Sequence, residues 1–380
     1  MNGAARPDAV IVGAGIVGAA CAHALAARGL RVLVCDADFP GGGATAAGMG
    51  HIVVMDDSPA QLALTVLSRR LWSELAPSLS PTCEDERPGT LWVAATADEM
   101  GVVAEKHALC KRMGVASHVL DECGLADAEP NLRPGLAGAL FVPDDRVIYP
   151  PGAARWLLDA AVAKGATVRL GTRALSVAPS SVTLHANGAS EIVSAGAIIL
   201  AMGIDTPSVV PGLAIVPRKG HLVITDRYPD LIRSQLVELG YLQSAHAMTG
   251  ASTAFNLQPR ATGQVLIGSS RELVGRDPSV NRRIVHDMVQ RAVEFVPKLG
   301  DCLAIRTWTG FRPATPDKLP LIGPWPDVPG VWIAAGHEGL GITTATGTAA
   351  LIAAGLLGGP PPIAAEPFLP TRPMPALAVA

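Results

Sequence analysis

The stretch from Asp8 to Asp36, DAVIVGAGIVGAACAHALAARGLRVLVCD, constrains what this chain can fold into more than any other. Ala9 to Val12 is a short apolar run of the kind a buried parallel strand shows. Gly13, Gly15 and Gly18 follow in G-x-G-x-x-G spacing, with Ile16 and Val17 inside it. In that pattern the first glycine makes a tight turn, the second lets a pyrophosphate approach the backbone, and the third lets helix and sheet pack closely. The helix is expected from about Ile16 to Arg28, where Gly29 suits a left-handed cap. Leu30 to Cys35 is a second apolar strand, delivering Asp36 and Ala37. A carboxylate there accepts hydrogen bonds from an adenosine ribose while the helix N-terminus holds the pyrophosphate. Strand, glycine turn, helix, strand and acid together read as a dinucleotide site.

Length and charge narrow the rest. A chain of 380 residues, 49% of them hydrophobic, has room for two domains and a large core. The net charge of −3, with no basic run, excludes nucleic acid as a partner. Six cysteines show no C-x-x-C pair and no metal-ligand spacing, so free thiols in a reducing compartment and no metal are expected. The first strand follows the N-terminus almost directly, and no charge-free apolar run reaches membrane-spanning length. A soluble cytoplasmic protein without a transmembrane segment is the expectation.

The fold class expected is α/β, a Rossmann-like nucleotide domain with a second, antiparallel-sheet substrate domain. After Asp36, Gly43, Ala44, Thr45, Ala46, Ala47, Gly48 and Met49 form a loop of small residues that suits backbone packed under a flat ring, with Thr45 offering a hydroxyl to phosphate. Ser58-Pro59-Ala60-Gln61 is a capping box that opens an amphipathic helix to about Ala76. Residues 1–80 thus begin the nucleotide domain, 81–145 leave it for the substrate domain, and 146–214 return. The return includes strands at Thr167–Leu170 and Ser176–Val177, a hairpin at Asn187-Gly188, and the apolar run Ala197–Ala201 closing on Gly203. Residues 215–318 alternate as an antiparallel sheet would, then carry a helix from Asp277-Pro278 to about Phe295. Residues 319–358 end in AAGHEGLGITTATGTA, a strand, glycine turn and small-residue helix, and 359–380 read as an extended, peripheral, proline-rich tail.

Four pieces together resemble the D-amino-acid oxidase (DAO) family of FAD flavoproteins, which includes glycine oxidase and sarcosine oxidase. They are the N-terminal fingerprint, GGATAAGM, the AMG at Ala201–Gly203, and GFRP…PLIG…AAGHEGLGI. Within the family, GMGHIVVMDDS and AGHEGLGITTATGTA look most like bacterial D-hydroxyproline dehydrogenases and the amine-dehydrogenase subunits of opine oxidase and cyanide-forming glycine dehydrogenase. The resemblance implies glycine oxidase-like architecture and noncovalent FAD, because FRPATPD lacks the cysteine that sarcosine oxidases bond to flavin. It assigns the pyrophosphate to Gly13, Gly15 and Gly18, the ribose to Asp36, the adenine to the backbone of Val177, and the flavin path to Thr45 through Gly48. Gly336, Gly339, Leu340, Gly341, Ile342 and Thr343 belong to the turn and helix N-terminus facing the pyrimidine edge of the flavin. Arg312 matches the arginine that fixes a substrate carboxylate through two parallel hydrogen bonds.

Some readings stay open at this stage. His51 is either an active-site or a structural histidine, and Tyr149 either stands near the pocket or is a packed tyrosine. His337 and Glu338 order the flavin turn or take part directly. The implied reaction is oxidation of a D-amino or secondary imino acid, of D-hydroxyproline or D-proline type, by hydride transfer to flavin N5. Electrons would leave to oxygen, a quinone or a partner subunit, in a homo- or hetero-oligomer. The rivals are a peroxide-forming oxidase of glycine, sarcosine or D-amino acids, a nicotinamide-dependent dehydrogenase, and a non-catalytic flavin-binding subunit.

Overall fold

In the computed structural model, which describes residues 6–239 and 252–375, two large sheets of unlike character dominate, with a three-stranded and a two-stranded sheet beside them. The first has six strands in the spatial order Leu321–Pro324, Val331–Ala335, Ala197–Leu200, Ala9–Val12, Val32–Cys35 and Thr167–Arg169. All neighbours pair in parallel except the first two. Every residue of Ala9–Val12 and Val32–Cys35 is buried, as two covered faces require. Ala9, Ile11, Val34 and Ile199 pack against the helices Ile16–Ala26, Pro150–Val162 and Gly341–Leu357. Val10, Val12, Leu33 and Leu200 face the other way, toward a three-stranded antiparallel sheet formed by Arg173–Ala178, Ser181–Ala186 and Ala189–Ser194. Asn187 and Gly188 turn that hairpin with φ of 52° and 77°, the left-handed pair that a two-residue loop needs.

The second sheet has eight strands, ordered Ala304–Ala314, Val216–Thr225, Val265–Arg271, Ser252–Pro259, Gln235–Glu238, Thr90–Ala94, Gly138–Val142 and His118–Asp121. Residues of the 81–145 segment therefore join strands from beyond 215 in one sheet. Phe255, Leu257, Val265 and Ile267 pack against the helix Arg282–Phe295. By alternation along each strand, Asn256, Gln258 and Gly268 face the nucleotide side. The helix Pro59–Leu75 bears out its capping box in part: Ser58 Oγ accepts from Gln61 N at 3.1 Å. Gln61 Oε1, however, accepts from the amide of Asp57 rather than that of Ser58.

Two expectations fail locally. The helix expected from Asp277-Pro278 starts at Arg282, capped by Asn281. Asp277 instead accepts from the amide and hydroxyl of Ser279, a local turn that competes with helix initiation. The proline-rich tail, as far as Pro375, is also not peripheral. Phe368 is buried in the nucleotide-domain core, and Arg372 pairs with Asp317 at 2.6 and 2.8 Å; residues 376–380 lie outside the described residues. No described helix is long and apolar enough to cross a membrane.

Candidate active site

At the nucleotide end, the fingerprint glycines are required by space. Gly13 has φ of 106°, and a Cβ on it would lie 2.4 Å from the carbonyl oxygen of Ala201. A Cβ on Gly18 would lie 1.9 Å from the Gly13 carbonyl oxygen. These close approaches lock the turn to the Ala201–Gly203 segment, which is where the resemblance put it. The helix that follows has no side-chain cap at Gly15. Its Ile16 amide donates to Thr45 Oγ1 at 3.0 Å, so the segment of small residues is tied directly to the helix N-terminus. Asp36 accepts from the amides of Ala14 at 2.5 Å and Asp38 at 2.8 Å, and ionised it has further lone pairs to offer. Thr172 donates its amide to the Asp36 carbonyl at 2.8 Å, anchoring the start of the Arg173–Ala178 strand, along which Val177 pairs with Val182.

The second helix N-terminus lies at Gly341, again with no side-chain cap, after a turn through Gly336 with φ of 78°. Partial positive charge concentrates there. Thr343 Oγ1 donates to the carbonyl of His51 at 2.8 Å, and Trp72 Nε1 donates to the carbonyls of Ile342 and Thr343 at 3.1 Å. The 43–49 segment, expected as a loop, instead forms a short helix over Gly43–Ala47 and packs beneath: a Cβ on Gly48 would lie 2.7 Å from Ile342 Cδ1, and one on Gly310 would lie 2.3 Å from Ala47 Cβ. Two uncapped helix N-termini, a ribose-ready carboxylate and a bed of residues without bulk fit FAD. Gly13, Gly15, Gly18 and Asp36 would hold its adenosine diphosphate half, and Thr45 to Met49 with Gly339 to Thr343 its ring.

Arg312 reaches this bed from the eight-stranded sheet. Its Nη1 donates to the Ser270 carbonyl at 2.9 Å, and Gly339 stands beside it. Arg218 lies directly across the ladder from Arg312 and pairs with Glu338 at 3.3 Å. Burial alone would raise the Glu338 carboxyl; Arg312, Arg271 and Arg218 outweigh it and hold the group below its usual range. Glu338 also fixes the turn, with φ of 50°, its amide donating to the Pro313 carbonyl and Gly339 donating to its Oε2.

The structure brings most of the expected residues to one place. Met49 lies under Gly268, and its carbonyl accepts from Gln258 Nε2 at 2.9 Å. His51 lies on the strand His51–Ile52 against Thr343, its Nε2 buried without a partner and its pKa pushed down to about 4 by burial. His337 is buried with Nε2 against Thr348 Oγ1 at 2.9 Å and is pushed down to about 3 by burial, so it orders the turn as a neutral ring. Tyr149 is 40% exposed, occupies the N-cap position of the Pro150–Val162 helix without a side-chain capping hydrogen bond, and lies under the Arg260 guanidinium. Sequence reasoning missed Gly220, Arg218, Arg271, Asn256 and Ser269. They sit on paired strands of one sheet, and positive charge in PRKGH and SSREL hinted only at Arg218 and Arg271.

These residues fit a flavin dinucleotide, with the Arg312 guanidinium held between Ser270 and Gly339. A model of the DAO family, "FAD dependent oxidoreductase", matches residues 8–354, and the chain belongs to that family. Glycine oxidase of Geobacillus kaustophilus is 26% identical over 360 residues, covering 92% of each chain. Its crystal structure superposes with a TM-score of 0.86, covering 97% of this chain and 100% of that one. Subunit HcnC of hydrogen cyanide synthase from Pseudomonas aeruginosa is 30% identical over 419 residues, 96% of each chain. D-Amino acid dehydrogenase of Methylobacterium nodulans is 28% identical over 316 residues, covering 80% of this chain and 71% of that one. The protein is an FAD-dependent oxidoreductase acting on CH–NH or CH–NH2 groups of amino or imino acids.

Proposed function

We propose that the substrate is a cyclic D-imino acid of the D-hydroxyproline or D-proline type, oxidised at Cα by a noncovalent FAD. The observation that carries the reading is Arg312, held beside Gly339 at the mouth of the Gly341–Leu357 helix. Its guanidinium binds the substrate carboxylate through two parallel hydrogen bonds, which fixes Cα–H toward the ring. Bound FAD would supply the two-electron acceptor for the hydride that leaves Cα. The neutral amine's lone pair closes the C=N bond and the nitrogen proton passes to water, so no strong protein base is needed. From hydroxyproline the product is a hydroxypyrroline carboxylate.

Two buried oxygens without partners support a hydroxylated ring. Asn256 Oδ1 and Ser269 Oγ are buried without partners, although buried polar oxygens are normally hydrogen-bonded. Asn256 pairs in register with Gly268, which faces Met49, and Ser269 adjoins the residue that accepts from Arg312. The absence of a cysteine before Thr315-Pro316-Asp317 supports noncovalent flavin. Likeness to a protein named as a hydrogen cyanide synthase subunit supports assembly with a partner subunit. The likeness to glycine oxidase favours a second reading, in which glycine is the substrate and oxygen the acceptor.

Anaerobic titration of the purified yellow protein with cis-4-hydroxy-D-proline, D-proline, sarcosine and glycine separates these readings. Rapid bleaching by the cyclic D-imino acids with slow recovery in air is the expected result. Bleaching by glycine or sarcosine with fast recovery would establish the oxidase reading instead. No bleaching by any of the four would remove the substrate assignment.

A further inference from the structure

We infer that Gly220 is a positioning residue: with Gly339 it forms a slot that holds the Arg312 guanidinium flat across the sheet, and any side chain at 220 would push it out. The inference rests on Arg312 as the carboxylate ligand. Arg312 belongs to the strand Ala304–Ala314, yet its Nη1 donates to Ser270 on Val265–Arg271, with Val216–Thr225 in between. The side chain must therefore cross a whole strand, and it crosses at Gly220. A Cβ there would lie 2.4 Å from Nη1, 2.8 Å from Nη2 and 2.9 Å from Cζ. Real Cβ atoms essentially never come within 3.0 Å of a neighbour, so the guanidinium, the mobile end of a long side chain, would have to leave this position. From the other side, a Cβ on Gly339 would lie 3.4 Å from Nε and 3.5 Å from Cδ. Gly220 is not among the glycines with positive φ, so space rather than backbone freedom demands a glycine.

The same face shows this device twice more. Gly310, paired with Gly220 across the ladder, makes room for Ala47, and Gly268 makes room for Met49. Where Gly310 and Gly268 admit the flavin-lining segment, Gly220 admits a charge. A bidentate pair needs both guanidinium nitrogens in the carboxylate plane, so a tilt imposed at residue 220 loses orientation before it loses charge.

The test uses the full FAD-loaded chain and 2-furoate, a ring carboxylate with no hydrogen on the carbon bearing the carboxylate. Its dissociation constant is read from perturbation of the flavin absorbance. Gly220→Ala should weaken 2-furoate by about tenfold or more, with flavin content near wild type, because the two parallel hydrogen bonds are misaligned. On an Arg312→Ala background the same change should alter binding by less than about twofold, since the cycle isolates their coupling. Binding by Gly220→Ala within about twofold of wild type, or a full penalty on the Arg312→Ala background, would overturn the slot. Gly339→Ala is the second variant, should the first not fold. Its milder contact predicts about two- to fivefold weaker binding that vanishes on the Arg312→Ala background, and unchanged binding counts against the slot. Arg312→Ala that still binds 2-furoate as wild type does would sink the carboxylate role itself. Weak binding there beside normal binding by Gly220→Ala would sink the slot alone.

Discussion

The nucleotide cradle and the arginine slot solve the same problem, close approach, with glycines placed very differently along the chain. The cradle's turn, helix and acid lie within the contiguous run Asp8–Asp36, where each glycine sits at a fixed offset from the next. The slot is assembled from Gly220, Ser270, Arg312 and Gly339, on three strands and a turn. A motif whose parts are covalent neighbours has its geometry set by backbone dihedrals and can be read as text. A motif whose parts meet through strand register cannot, because shifting a strand by one residue moves every side chain to the other face.

The cradle should be the less forgiving of the two. Gly18→Val places a branched side chain where even a Cβ would meet the Gly13 carbonyl oxygen at 1.9 Å. The helix must move off the sheet, at a cost of about 3 kcal/mol or more in folding stability. The variant should purify without flavin and unfold at markedly lower urea than wild type. Normal flavin content at an unchanged midpoint would show that the close packing is not needed, and the contrast between the two regions would collapse.

That contrast also marks what could be read in advance. Gly29 was expected to end a helix in a left-handed cap, and it has a positive φ of 82°. The hairpin at Asn187-Gly188, the parallel strands and the two helix N-termini followed from local pattern for the same reason. The Asp277-Pro278 cap failed because Ser279 competes for the same carboxylate, a choice that residue types alone do not decide. The tail failed because Phe368 finds a core that composition does not reveal, and Arg372 finds Asp317 at a distance of 55 residues in sequence. Arg312 was legible as a residue through GFRP, whereas Gly220, which makes its path, looked like any glycine in a strand.

Arg312→Ala sharpens the comparison from the other side. It leaves the cradle intact, so flavin content should be normal while carboxylate recognition fails. Removing one member of a desolvated charge pair costs about 2–5 kcal/mol, so kcat/KM on the responding imino acid should fall by roughly two orders of magnitude or more. Steady-state kinetics on flavin-replete protein measures this. Near-normal turnover would show that carboxylate binding lies elsewhere and that the face of the eight-stranded sheet has another use.

His337 stands where the two regions meet, between the Val331–Ala335 strand of the nucleotide sheet and Glu338, which pairs with Arg218 of the other sheet. Burial pushes its imidazole from 6.5 down to about 3, so the folded protein holds it neutral while the unfolded chain protonates it below 6.5. In that window the unfolded state binds more protons, and stability is full above 6.5 and is lost as pH falls toward about 3. At pH 5 the loss from this residue is about 2 kcal/mol. His51 adds a loss of the same sign, its ring pushed from 6.5 to about 4 by burial. Asp145 opposes both, since burial raises its carboxyl from 3.8 to about 6 and favours the fold as it protonates. Comparison of His337→Gln with wild type cancels those other groups. Urea unfolding at pH 7.5 and pH 5 should show the variant less stable at the higher pH, for want of the imidazole's place against Thr348, yet about 2 kcal/mol less sensitive to acid. Parallel acid losses in the two proteins would mean that the imidazole is not held neutral at the junction and that acid acts on the two regions separately.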